Sequence, residues 1–120
     1  MFPFERLVVW QAAHTLAVQL YRDVTQWEDR DLRAQIRRCA ASVPANIAEG
    51  AGSESQPQFA KYVGFANASA SELRYHLRFA HDVGLISSAR YAEYDAAATS
   101  IRRMLNTLQK RLRNPAKPSP

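Results

Sequence analysis

Residues 35–50 read Gln35-Ile-Arg-Arg-Cys-Ala-Ala-Ser-Val-Pro-Ala-Asn-Ile-Ala-Glu-Gly50, and their pattern decides the fold class. Ile36, Cys39, Val43 and Ile47 step by three, four and four residues, which puts them on one face of a helix. Ser42, Asn46 and Glu49 recur at the same spacing, so small and acidic polar groups border the apolar stripe. Pro44 falls inside the run and removes a backbone donor, which predicts a kink or a restart. The reading is a kinked central helix whose polar groups need partners on neighbouring helices.

Moving outward, the flanking segments carry the same helical period. A first helix is expected over residues 4–26. It has one stripe of Leu7, Trp10, His14, Ala17, Tyr21 and Val24, and a second of Val9, Ala13, Leu16 and Leu20. A bundle core needs only about a third of each helix surface, so the extra apolar face suggests a partner subunit. His14 on that stripe reads as a core or interface histidine. Asp29 or Asp31 can cap the second helix, which ends near Gly50. A third helix is expected over residues 57–83, with Phe59, Val63, Ala66, Ala70, Leu73, Leu77 and Ala80 as an unbroken heptad seam. Beside it run Tyr62, Phe65, Ser69, Glu72, His76 and Phe79. Gly84 ends that helix, Ser87 or Ser88 can cap a fourth, and Asn114-Pro115 stops it. The fourth seam is Tyr91, Tyr94, Ala98, Ile101, Leu105, Leu108 and Leu112.

Four helices with short connections predict an all-α, up-down-up-down antiparallel four-helix bundle over residues 1–114, followed by a disordered tail over 115–120. At 120 residues, 47% hydrophobic and 22% charged, the chain suits one domain with one core. It contains neither an apolar run long enough for a membrane span nor a secretory leader pattern, so a cytoplasmic location is expected. The single Cys39 has no intrachain disulfide partner and reads as an inert buried thiol.

The net charge of +5 is local. Residues 102–120 hold Arg102, Arg103, Lys110, Arg111, Arg113 and Lys117 and no acid, whereas the first 101 residues balance to −1. Such a segment attracts phosphate backbones or acidic partners, although basic residues also simply suit a helix C-terminus. Arg33 and Arg37 lie at i and i+4 with Arg38 adjacent, and Arg74 and Arg78 repeat the spacing. Such pairs either bridge phosphates or pair with acids on neighbouring helices. The candidate nucleic-acid set is therefore Arg33, Arg37, Arg38, Arg74, Arg78, Lys110, Arg111 and Arg113. Most aromatics fall on apolar stripes, so backbone or shape recognition is expected over base reading.

Catalytic constellations are weak. Glu72, His76 and Glu49 could project into the bundle, but the di-iron pattern needs Glu-x-x-His on two helices, and here Glu-x-x-x-His occurs once. The reading is no metal and no cofactor. Ser42, Asn46 and Glu49 instead form a structural polar seam against Ser69 and Glu72. Gly50-Ala-Gly-Ser53 lacks the strand and Lys of a phosphate loop, and no nucleophile–base set is apparent, so no enzyme is expected.

The stretch from Asp31 to Gly50, above all Ser42-Val-Pro-Ala-Asn-Ile-Ala-Glu-Gly50, resembles the signature of a bacterial four-helix-bundle family. Its genes were noted inside intervening sequences of large-subunit (23S) ribosomal RNA genes. Phe4-Glu-Arg-Leu-Val-Val-Trp-Gln-Ala-Ala13 and Phe65-Ala-Asn-Ala-Ser-Ala-Ser-Glu-Leu73 are similar to other parts of that family, with Ser69 and Glu72 on its Ser and Glu. The resemblance spans about residues 2–110. It implies a homopentameric ring with a central channel and no enzymatic activity. A remoter similarity to accessory proteins of diversity-generating retroelements implies binding of nucleic acid and a reverse transcriptase. Ala68 and Ser53 depart from the family pattern, which argues against the loop after Gly50 as a phosphate contact. The function expected is an oligomeric bundle that binds structured RNA through clustered Arg and Lys. The alternative is a protein-binding scaffold whose basic C-terminal segment docks an acidic partner.

Overall fold

The computed structural model describes residues 3–114. It contains four helices, α1 (Val8–Asp23), α2 (Arg30–Ala51), α3 (Gln56–Asp82) and α4 (Ser88–Arg113), and among the described residues no strand. Each helix packs on its sequence neighbour and α1 also meets α4, closing an antiparallel bundle of 57 × 23 × 19 Å. One end therefore gathers the start of α1, the α2–α3 turn and the end of α4. The other gathers the α1–α2 and α3–α4 turns. Lys117 and the expected tail lie outside the described residues.

Local chemistry sets each boundary. The first helix is shorter than its periodicity suggests, because its start carries no capping side chain and Leu7 is extended. A 3-10 turn, Phe4–Arg6, precedes it, and Phe4 folds back to 4.9 Å from Trp10. At the far end Val24–Gln26 forms another 3-10 turn before Trp27 extends. Asp29, not Asp31, caps α2 by accepting from the Leu32 N–H at 3.0 Å. Ser55 caps α3 with Pro57 in its first turn, and Ser87, not Ser88, caps α4. After α3, Gly84 adopts φ 85° and the Leu85 N–H reaches back to the Ala80 carbonyl at 2.9 Å, a Schellman closure that only glycine accommodates cheaply.

Pro44 does not restart the helix: α2 runs unbroken from Arg30 to Ala51 with the proline buried inside it. The core is the one the heptad seams specify, with Leu20, Ile36, Ile47, Val63, Leu73, Leu77 and Leu105 almost fully buried. On α1, however, the buried stripe is Val9, Ala13, Leu16 and Leu20, joined by Val24. The other stripe faces outward. Trp10 and Ala17 are half-buried and His14 and Tyr21 exposed, so His14 is not a core residue.

Candidate nucleic-acid interface

The register between α2 and α3 fixes what the polar residues do. The Ser42 and Ser69 hydroxyls are 2.8 Å apart, and the Asn46 amide donates to the Ser42 carbonyl at 2.8 Å and its hydroxyl at 3.0 Å. The helices run antiparallel, so a step toward the start of α2 matches a step toward the end of α3. Cys39 is thus level with Glu72. Glu49 falls near Tyr62, about 15 Å along α3 from Glu72. Glu49 is exposed and takes no part in the seam, which reduces to Ser42, Asn46 and Ser69. Glu72 instead approaches His76 at 3.4 Å. It also groups with Cys39, where burial first and the Glu72 carboxylate second push the thiol up to about 11. This Cys39–Glu72–His76 grouping escapes sequence reasoning until the register is known.

The basic residues divide sharply. Arg33 donates to the Trp27 carbonyl at 2.5 Å, and Arg37 donates to the Tyr21 carbonyl at 2.8 Å and to Thr25 Oγ1 at 2.9 Å. The Arg37 guanidinium also lies 3.8 Å from the centre of the Tyr21 ring. Arg37 thereby satisfies a carbonyl left open where α1 ends, and Arg33 ties down the turn that follows. Arg74 bonds Asp95 on α4 at 2.8 and 3.3 Å, and Arg78 bonds Asp82 one turn on at 3.0 Å. These four donors serve the bundle. Arg38, Lys110, Arg111 and Arg113 are exposed and make no ion pair among the described residues.

The uncommitted cations do not form one patch. Arg38 lies in the first half of α2, while Lys110, Arg111 and Arg113 lie at the opposite end of the bundle. The fold adds to the second group. Antiparallel packing sets the first half of α3 against the second half of α4, and residues 55–71 and 96–113 contain Lys61, Arg102, Arg103, Lys110, Arg111 and Arg113 but no acid. Lys61, Phe65, Leu112 and Arg113 line an open groove of about 560 Å³ between the two helices. Three polar contacts hold them in register. Gln109 donates to the Ala60 carbonyl at 3.1 Å, Asn67 to Asn106 at 2.6 Å and Arg102 to Asn67 at 3.0 Å. Lys61 and Arg103 lay outside the expected set: Lys61 stands alone in sequence and meets the basic end of α4 only across the helix pair, while Arg103 follows Arg102 seven residues before the Lys110–Arg113 group on the same helix.

A second surface is apolar. Phe4, Trp10, His14, Ala17, Tyr21 and Pro44 help line a groove of about 410 Å³ along α1 and α2, with the His14 ring stacked on Trp10 at 4.8 Å. On α3, Phe65, Tyr75 and Phe79 are exposed. No helix among the described residues is long and apolar enough to cross a membrane.

Comparison with known proteins agrees with this architecture. Residues 5–107 match the family model of the 23S rRNA-intervening sequence protein. A solved structure from Bacteroides thetaiotaomicron, described as a protein of unknown function from the S23 ribosomal protein family, superposes with a TM-score of 0.81 at 25% identity. The match covers 86% of this chain and 99% of that one. Among curated proteins, none matches. With the family model spanning most of the bundle, this chain belongs to the 23S rRNA-intervening sequence protein family.

Proposed function

We propose that this chain is a non-enzymatic, oligomeric helical bundle that binds structured RNA through its phosphate backbone. The observation carrying the reading is that the paired halves of α3 and α4, residues 55–71 and 96–113, hold no acid, while Lys61, Arg103, Lys110, Arg111 and Arg113 on them are exposed and make no ion pair among the described residues. Clustered cations gain affinity by releasing the counterions condensed on a nucleic acid, and the side chains present suit phosphates more than base edges. The family's name ties its members to 23S rRNA, which supports RNA as the polyanion. Self-association is assigned to the apolar groove of α1 and α2, whose aromatic lining is costly to leave in water. The resemblance to the family favours a homopentamer, and light scattering of the purified protein decides it.

The test is RNA binding across a salt series. Affinity is expected to fall linearly with log salt. A variant with Lys110, Arg111 and Arg113 all changed to Ala should lower the slope by about 2–3 while keeping its helicity. Binding indifferent to ionic strength, or absent at low salt, rejects the reading. A second reading rests on the apolar groove and the exposed α3 aromatics: a scaffold whose basic end docks an acidic protein, a reverse transcriptase complex included. It gains if the triple variant loses a protein partner while RNA binding is absent.

A further inference from the structure

We infer that Cys39, Glu72 and His76 form a binding site for a single divalent cation of the zinc class, bridging α2 and α3. Their ligand atoms lie within 4.8 Å of one another, with Glu72 Oε1 and His76 Nε2 already 3.4 Å apart. Two ligand atoms on a tetrahedral zinc are separated by about 3.3–3.7 Å, given bond lengths near 2.0–2.3 Å. The helix pair therefore has to bring the Cys39 sulfur closer by about 1 Å, without any change of fold.

The elements preset this arrangement. Glu72 and His76 occupy i and i+4 of one helix, which stacks their side chains on one face. The register at which Ser42 meets Ser69 puts Cys39 opposite them one turn further along. Cys39 is buried and the His76 side chain only 12% exposed, so two donors are held in place by packing. The Glu72 side chain is 61% exposed, which gives it freedom to swing inward and leaves a fourth position open to water. Three protein ligands plus water is a common zinc arrangement, and the thiolate–imidazole pair selects zinc or cobalt over magnesium or calcium. On binding, the Cys39 thiol releases one proton to solvent and the metal–sulfur bond forms, with no change of oxidation state.

Other polar clusters are already committed elsewhere. His81 bonds Asp82 and Ser88, Asp23 bonds Arg90 and Tyr94, and Arg74 bonds Asp95. Among the described residues, the Cys39 group is the one in which a soft donor, an imidazole and a carboxylate converge.

Cobalt(II) titration of the full-length, reduced protein tests the site. One equivalent per chain should produce a thiolate-to-cobalt charge-transfer band and the intense visible bands of four-coordinate cobalt, and zinc should displace both. Cys39→Ala should abolish the charge-transfer band, with unchanged helicity as the folding control. His76→Gln and Glu72→Gln should each weaken binding at least about tenfold. Absence of the band in wild-type protein overturns the inference. So does a band that survives in Cys39→Ala or is equally strong in His76→Gln, since the metal then sits elsewhere.

Discussion

The Ser42 and Ser69 hydroxyls meet at 2.8 Å midway along the α2–α3 contact, and the bond marks the register at which the buried seams of the two helices pack. Ser42 also accepts from Asn46, so its hydroxyl serves two partners. Ser42→Ala leaves the Ser69 hydroxyl without its partner in a half-buried position, at a cost of about 1–2 kcal/mol. Ser69→Ala should cost a comparable amount, and the double variant less than the sum, with a coupling of about 0.5–1.5 kcal/mol. Urea denaturation of the four proteins checks this. Strictly additive losses mean that the two hydroxyls are not energetically coupled.

Gly50 and Gly64 are both helical, yet replacing each by Ala should have different consequences. A Cβ at Gly50 would lie 2.9 Å from the Phe59 ring and from Tyr62 Cβ, and 3.2 Å from the Phe59 carbonyl. Alanine favours a helix by about 1 kcal/mol, but forcing apart the α2–α3 corner costs about 1–3 kcal/mol, so Gly50→Ala should destabilise. At Gly64 the Cβ meets only the flexible Gln109 amide end at 2.8 Å, and moving it aside weakens its bond to the Ala60 carbonyl by about as much as alanine gains in helix propensity. Gly64→Ala should stay within about 0.5 kcal/mol of wild type. Thermal denaturation midpoints, lower for the first and nearly unchanged for the second, check the pair.

Neighbouring arginines Arg37 and Arg38 should behave as different kinds of residue. Arg37 caps the end of α1 and covers Tyr21, so Arg37→Ala should destabilise the fold by about 1–2 kcal/mol. Arg38 is exposed, and Arg38→Ala should change stability by less than about 0.5 kcal/mol. Guanidinium titration of both variants distinguishes the two. Equal stabilities remove the capping role given to Arg37.

The fold was legible in the sequence because the heptad seams of α3 and α4 and the Ile36–Ile47 face are local patterns, and the structure buries them as the periodicity requires. The choice between the two stripes of α1 was not legible, since both are apolar and only the packed neighbours decide which turns inward. The binding surface was legible in part. Lys110, Arg111 and Arg113 are adjacent in sequence and exposed in the fold. Arg33, Arg37 and Arg74 look identical to them on paper, and their partners (Trp27, Tyr21 and Asp95) become visible only when turns and helices are placed, whereas Asp82, four residues after Arg78 on the same helix, could have been read from spacing. Glu49 failed as a seam residue for the same reason. Spacing along one helix says which face a side chain is on, but not the level at which the neighbouring helix meets it.

Tyr94 ties stability to pH at the other end of the bundle. It is buried on α4, and its hydroxyl donates to Asp23 at the close of α1, where Arg90 also bonds the carboxylate at 2.6 Å. Burial first, then the Asp23 carboxylate, pushes the phenol from 10.0 up to about 12. The folded state therefore holds this proton more tightly than the unfolded chain does. The corresponding stability is fully present below about pH 10 and is lost as pH rises from 10 toward 12. Its size is about 1–2 kcal/mol, reduced from the full shift because Arg90 and Asp23 are partly solvated. Tyr94→Phe gives up the hydrogen bond at all pH values, so it starts less stable at neutral pH by about 1 kcal/mol. It also lacks the titrating group, so the gap to wild type should narrow as the solution is made alkaline. Urea midpoints of both proteins between about pH 8 and 11 check the sign. Parallel declines exclude Tyr94 as the alkaline sensor, and a widening gap reverses the assignment of its proton.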